Sequence, residues 1–183
     1  MKWLAVFLLM PVAGFAQSFG APPEVEIGGA TFAATDTDAC INDQVSKGPG
    51  GLVTRASRGC IGYSARACTA DPVACFGFEQ AYWDWRIANN YKGLQAWVAD
   101  LDEGENNDLR ASVANPAAAT ANVALECALR IGQTGSATAE VDKAACEMRE
   151  TALIALELEF TVRQACEAAR GEAFAQFCGK TDR

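Results

Sequence analysis

The segment Asp71-Pro72-Val73-Ala74-Cys75-Phe76-Gly77-Phe78-Glu79-Gln80-Ala81-Tyr82-Trp83-Asp84-Trp85-Arg86-Ile87 opens the most regular stretch of the chain. From it, Phe76, Trp83, Ile87, Tyr91, Leu94, Val98 and Leu101 recur at steps of seven, four, four, three, four and three residues. These steps return to one face of an α-helix, which predicts a helix from Pro72 to about Leu101. Asp71 suits the N-cap and Pro72 the first helical position, where a missing N–H costs nothing. Phe78, Tyr82 and Trp85 widen the apolar stripe, as a helix facing more than one neighbour requires. Gly93 weakens such a helix by about 1 kcal/mol relative to Ala, a cost that fits close packing at that point.

On the C-terminal side, Asp100 to Arg110 carries the acids Asp100, Asp102, Glu103, Glu105 and Asp108 against Arg110, and reads as a solvated helix end and linker. After Asn115-Pro116 an Ala-rich helix is expected from about Ala117 to Ile131, ending at Gly132. A small-residue loop then leads to a long helix starting near Glu140, with Leu153, Leu156 and Phe160 on one face, Ile154, Leu158 and Val162 beside them, and a kink or end at Gly171. On the N-terminal side a short helix is expected around Cys40 to Asn42, then the breaker Gly48-Pro49-Gly50-Gly51 and a second helix over Leu52 to Ala67. No strand and no fixed-period repeat is evident. The expected class is all-α, a disulfide-stapled bundle of about three main helices plus short N-terminal ones.

Met1 to Ala16 has the layout of a secretory signal peptide: Lys2, the apolar run Trp3 to Val12, and the small-x-small site Gly14-Phe15-Ala16. The run is too short for a membrane span, and no Cys follows Ala16 for acylation. Residues 17–38, with Pro22, Pro23, Gly28 and Gly29, read as an extended or disordered leader. Residues 39–183 read as a single domain. Export recasts the cysteines Cys40, Cys60, Cys68, Cys75, Cys127, Cys146, Cys166 and Cys178 as disulfides, since no CxxC-type pair is present for zinc or an iron–sulfur cluster. Eight cysteines allow 105 pairings. The sequential set is expected, because each consecutive pair flanks a stretch of helix-breaking or small residues and would tie neighbouring helix ends together.

The chain of 183 residues contains no histidine, which removes Ser-His-Asp triads, Cys-His pairs and HExxH zinc sites. With 15 Lys plus Arg against 23 Asp plus Glu its formal charge is −8, which argues against a nucleic-acid partner. Phosphate-cradling glycine loops and metal-ligand clusters are also missing from the sequence. The expectation is a non-enzymatic protein without cofactor, without a membrane span, and with a neutral or basic protein partner.

The pattern Cys75-x3-Glu79-x3-Trp83-Asp84-x2-Ile87-x3-Tyr91-x2-Leu94, preceded by Cys60-Ile-Gly and Cys68, resembles the motif C-x3-E-x3-WD-x2-LN-x2-Y-x2-L of LprI-type lysozyme-inhibitor domains. Downstream, Cys127 and Cys146-Glu-Met148-Arg149-Glu-Thr151 resemble that family's second cysteine pair and its C-x-MR-x-T helix start. The resemblance spans about residues 57 to 160. Ile87-Ala88 replaces the family's Leu-Asn, and its Q-x2-W-x3-RD stretch before the Cys127 position is missing. The resemblance implies a small exported helical domain that occludes a lysozyme or similar basic muramidase. The alternative is a disulfide-rich structural or interaction module of the periplasm without effect on lysozyme.

Individual residues leave more than one reading open. Glu79 and Asp84, five apart, do not share a helix face well enough for a general acid–base couple, and are expected to be solvated or to pair with Arg86 or Arg149. Trp83, Trp85 and Trp97 fit core packing or an aromatic binding surface. The acids between Asp100 and Asp108 fit a solvated face or the steering of a basic partner.

Overall fold

A computed structural model of the chain describes residues 24–27, 30–48, 50–99, 101, 107–133, 135–168 and 178. The stretch Met1–Ala16 expected to be a signal peptide, the part of the expected leader up to Pro23, the acids Asp100, Asp102, Glu103 and Glu105, and Gly171 lie outside the described residues.

Two long helices form the frame: α4 (Pro72–Ala99) and α7 (Ala139–Ala168). They run antiparallel, since Arg86 meets Glu159 while Asn90, one turn further along α4, meets Ala155, one turn earlier in α7. The start of α4 follows its sequence signal: the Asp71 carboxylate accepts from the Ala74 N–H at 3.1 Å, as an N-cap does. Phe78, Trp83, Ile87, Tyr91, Leu94 and Val98 are all buried in the core. Tyr82 is fully buried as well, so α4 faces several neighbours rather than one, and Gly93 is buried within it. In α7 the inward set is Met148, Ala152, Ala155, Leu156 and Val162, with Leu153 and Phe160 half-buried at the edge of the seam. The stripe is thus rotated from the one anticipated around Leu153, Leu156 and Phe160. Small Ala152 and Ala155 let the helices approach.

The shorter elements pack around this pair. A strand pair, β1 (Glu24–Ile27) with β2 (Ala30–Ala33), is antiparallel and in register from Glu24 opposite Ala33 to Ile27 opposite Ala30. It is the one departure from an otherwise helical chain among the described residues; Gly28-Gly29 between two short runs is its sequence signal. The leader expected to extend to Asp38 ends earlier. Helix α1 (Thr35–Ser46) starts three residues before that point, because Ala34 and Thr37 are fully buried and belong to the domain. The helix expected over Leu52–Ala67 is broken into α2 (Leu52–Gly59) and α3 (Tyr63–Ala67). Gly62 stands at the break with φ +78°, a left-handed conformation that glycine adopts without a Cβ penalty.

Beyond α4, the short α5 (Asn107–Val113) folds back on it, with Gln95 Nε2 donating to the Val113 carbonyl and Arg110 Nη2 to the Leu101 carbonyl, both at 2.8 Å. The Ala-rich segment is a 3₁₀ turn at Pro116–Ala119 followed by α6 (Val123–Gly132), not one helix from Ala117 to Ile131. Residues 117, 118, 121 and 122 are exposed, and a helix without a buried face gains too little from propensity alone to persist.

Four disulfides staple these elements: Cys40–Cys60, Cys68–Cys75, Cys127–Cys146 and Cys166–Cys178. They join α1 to the end of α2, the end of α3 to the first turn of α4, α6 to α7, and α7 to the chain beyond it. This is the sequential set, and each bridge stabilises by about 2–4 kcal/mol.

Candidate functional site

The chemically dense part of the molecule lies where α1, α4 and α7 meet. Asp38 comes from the first turn of α1, Tyr82 and Arg86 from successive turns of α4, and Glu159 and Arg163 from successive turns of α7. Arg86 Nη1 donates to Asp38 Oδ1 at 3.0 Å and to the Tyr82 hydroxyl at 2.8 Å, while that hydroxyl donates to Asp38 Oδ1 at 2.9 Å. Arg86 Nη2 donates to Glu159 Oε2 at 3.1 Å, and Arg163 Nε to Glu159 Oε1 at 3.0 Å. Two guanidiniums therefore face two carboxylates and the group is neutral.

The electrostatics follow from that balance. Burial pushes the Glu159 carboxyl up, but Arg86 and Arg163 outweigh it and hold the group below its ordinary range. Burial disfavours the Arg86 cation, and its carboxylate and Tyr82 partners more than restore it. Burial raises Tyr82, which stays protonated and donates. With its protons committed and its charges compensated, the cluster joins three helices and presents no activated base or nucleophile.

Glu79 builds the second polar centre. Its Oε1 accepts from the Gly62 N–H at 2.6 Å and from Trp83 Nε1 at 3.2 Å, and its Oε2 from the Ala65 N–H at 2.7 Å. The expectation that Glu79 is solvated or pairs with Arg86 or Arg149 is corrected: it is fully buried and holds the α2–α3 corner through backbone donors. Burial raises its carboxyl, opposed by the Ala65, Gly62 and Trp83 donors and by the Arg66 charge. Beside it, Thr37 and Ser64 clamp α1 to α3. The Thr37 N–H and hydroxyl donate to Ser64 Oγ at 3.1 and 2.8 Å, and the Ser64 N–H donates to Thr37 Oγ1 at 3.0 Å.

The other motif residues divide by exposure. Trp83, Ile87, Tyr91, Leu94, Met148 and Thr151 are buried, whereas Asp84 and Arg149 are exposed. Trp83 is a core residue whose ring meets Tyr82 edge-on at 5.0 Å; Trp85 and Trp97 are half-buried against the core. Thr151 Oγ1 and Asn89 Nδ2 are buried without a hydrogen-bond partner. Sequence reasoning missed Asp38, Glu159 and Arg163. The signal for two of the network's pairs was present as Tyr82-x3-Arg86 and Glu159-x3-Arg163, polar i,i+4 pairs set into apolar helix faces.

No family model matches the chain, and no curated protein or solved structure matches it. All eight cysteines are oxidised and, among the described residues, no group of His, Cys, Asp or Glu could hold a metal ion. No helix among them is long and apolar enough to cross a membrane. Among the described residues the exposed charges are mixed, with nine acids, Asp36, Asp84, Asp108, Glu126 and Glu157 among them, against the seven cations Lys47, Arg58, Arg66, Lys92, Arg130, Lys143 and Arg149.

Proposed function

We propose that this chain is an exported cell-envelope protein that acts by binding, as LprI-type lysozyme inhibitors do, and occludes a lysozyme or similar basic muramidase without chemistry of its own. The observation that carries this reading is the division of charge. The buried ionic groups of the α1–α4–α7 cluster compensate one another, so most of the net negative charge lies outside that cluster, where it favours encounter with a basic protein. Four disulfides and an apparent signal peptide support secretion into an oxidising compartment. The buried motif residues Glu79, Trp83, Ile87, Tyr91 and Leu94 support a shared frame with that family.

The test is a lysis assay with purified oxidised protein and a basic lysozyme. Protection at micromolar protein and low salt, declining as salt rises, is the expected result; no protection under those conditions rejects the reading. One observation favours the alternative of an interaction module inert toward lysozyme: the motif residues are mostly interior, so the resemblance accounts for the frame more than for any contact surface. A periplasmic partner whose binding is lost on Trp97 substitution, with no lysozyme effect, would establish it.

A further inference from the structure

Helix α6 is apolar on both sides. Val123 and Cys127 are buried and Ile131 is half-buried, while Leu125 and Leu129 are 60% and 59% exposed. At 3.6 residues per turn the two leucines sit about 40° apart and both lie opposite Cys127, so they crown the outer face, with exposed Ala121 and Ala128 on one flank and Glu126 on the other. A surface helix ordinarily turns a polar face to water, and one apolar all round belongs in an interior. The helix beneath the crown is fastened to α7 by the Cys127–Cys146 disulfide, and on its surface Arg130 Nη1 lies 2.8 Å from Glu150 Oε1.

We propose that Leu125 and Leu129 are the anchor by which this protein enters an apolar groove on a basic protein partner. The inference rests on the binding function proposed above and gives it a surface. The occupant follows from charge, and the mode of contact from shape. Two leucines on a narrow convex helix make a small apolar knob, well under the roughly 800 Å² per partner of a standard protein interface, so they serve as an anchor within a wider, charge-complementary contact. They fit the helix-in-groove mode, in which i and i+4 side chains fill a cleft. Arg130, the cation of this helix, is already neutralised by Glu150, which leaves Glu126 as the free charge beside the crown. Self-pairing would oppose like charges, whereas a basic rim on the partner complements them.

The test compares wild type with Leu125→Gln/Leu129→Gln, which keeps charge and helix propensity, using a basic lysozyme as probe in binding and lysis assays. The expected result is wild-type protection and a loss of about tenfold or more in affinity for the double variant, with its thermal midpoint and four disulfides unchanged; tenfold corresponds to about 1.4 kcal/mol. Glu126→Gln is expected to slow association at low salt and to leave dissociation nearly unchanged. If wild type protects and the double variant protects equally, the α6 anchor is wrong and the binding function stands. If wild type does not bind lysozyme, both fall. A wild-type dimer in sedimentation that dissolves in the double variant would overturn the proposal by assigning the crown to a second copy.

Discussion

Arg86 and Glu159 meet at 3.1 Å across the α4–α7 seam with 7% and 1% of their side chains exposed. Removing one partner of such a pair leaves a buried charge without compensation, which costs about 3–5 kcal/mol, whereas replacing both is far milder. Arg86→Met is therefore expected to destabilise by that order, and Arg86→Met/Glu159→Gln by clearly less than the sum of the single changes. Chemical denaturation of the two single variants and the double variant measures the coupling.

The same carboxylate sets an acid limit. Because Glu159 is held below its ordinary range, its contribution is present above the unfolded pKa of about 4.3 and is lost as pH falls through the folded value. The thermal midpoint should decline on acidification below about pH 4, and Glu159→Gln, measured against wild type across that range, should flatten the decline.

Glu79 is expected to slope the other way. Burial raises its carboxyl, so its contribution is largest below the unfolded pKa and is lost as pH rises through the folded one. Glu79→Gln keeps an oxygen for Gly62 and Trp83 but turns an amide against the Ala65 N–H. It should cost about 1–3 kcal/mol, and the deficit relative to wild type should narrow as pH rises above the unfolded carboxyl pKa of about 4.3. Parallel thermal melts of the two proteins over that rise in pH give the sign directly.

What could be read from the sequence divides by the distance over which an interaction acts. Helix α4 was legible because its periodicity and its Asp71-Pro72 start are local, and the disulfide pairs because each spans a short breaker. The early start of α1 was not legible. Thr37 looks like a loop residue until Ser64, 27 positions away, is seen to clamp it. Arg86 likewise finds its acids 48 and 73 positions away. The break at Gly62 depends on Glu79 collecting backbone donors from α3, which no window over Leu52 to Ala67 contains. Leu125 and Leu129 blend into a helix whose other face is equally apolar, so periodicity could not separate the crown from the core.

The Gly62 corner can be tested by backbone alone. A Cβ at this position would lie 3.1 Å from Arg66 Nη1 and 3.7 Å from Met148 Cε, on a residue with φ +78°. The Arg66 side chain is exposed and can give way; the left-handed backbone cannot, and costs an L-residue about 1–2 kcal/mol. Gly62→Ala should lower stability by that amount and increase amide exchange at the Gly62 and Ala65 positions that Glu79 accepts from, with exchange in the C-terminal half of α4 unaffected.

The Cys127–Cys146 bridge holds α6 to α7 across a separation of 19 residues, and an exposed Arg130–Glu150 ion pair adds little to it, typically below about 1 kcal/mol. Cys146→Ser paired with Cys127→Ser is therefore expected to destabilise by about 2–4 kcal/mol. The loss should be uneven: buried Val123 and Cys127 and half-buried Ile131 tie α6 down, and the rest of that helix is exposed. Hydrogen exchange in α6 should rise well before exchange in α4, whose interior contacts do not involve this bridge. Equal protection of both helices in the double serine variant would mean that packing, rather than the disulfide, positions α6.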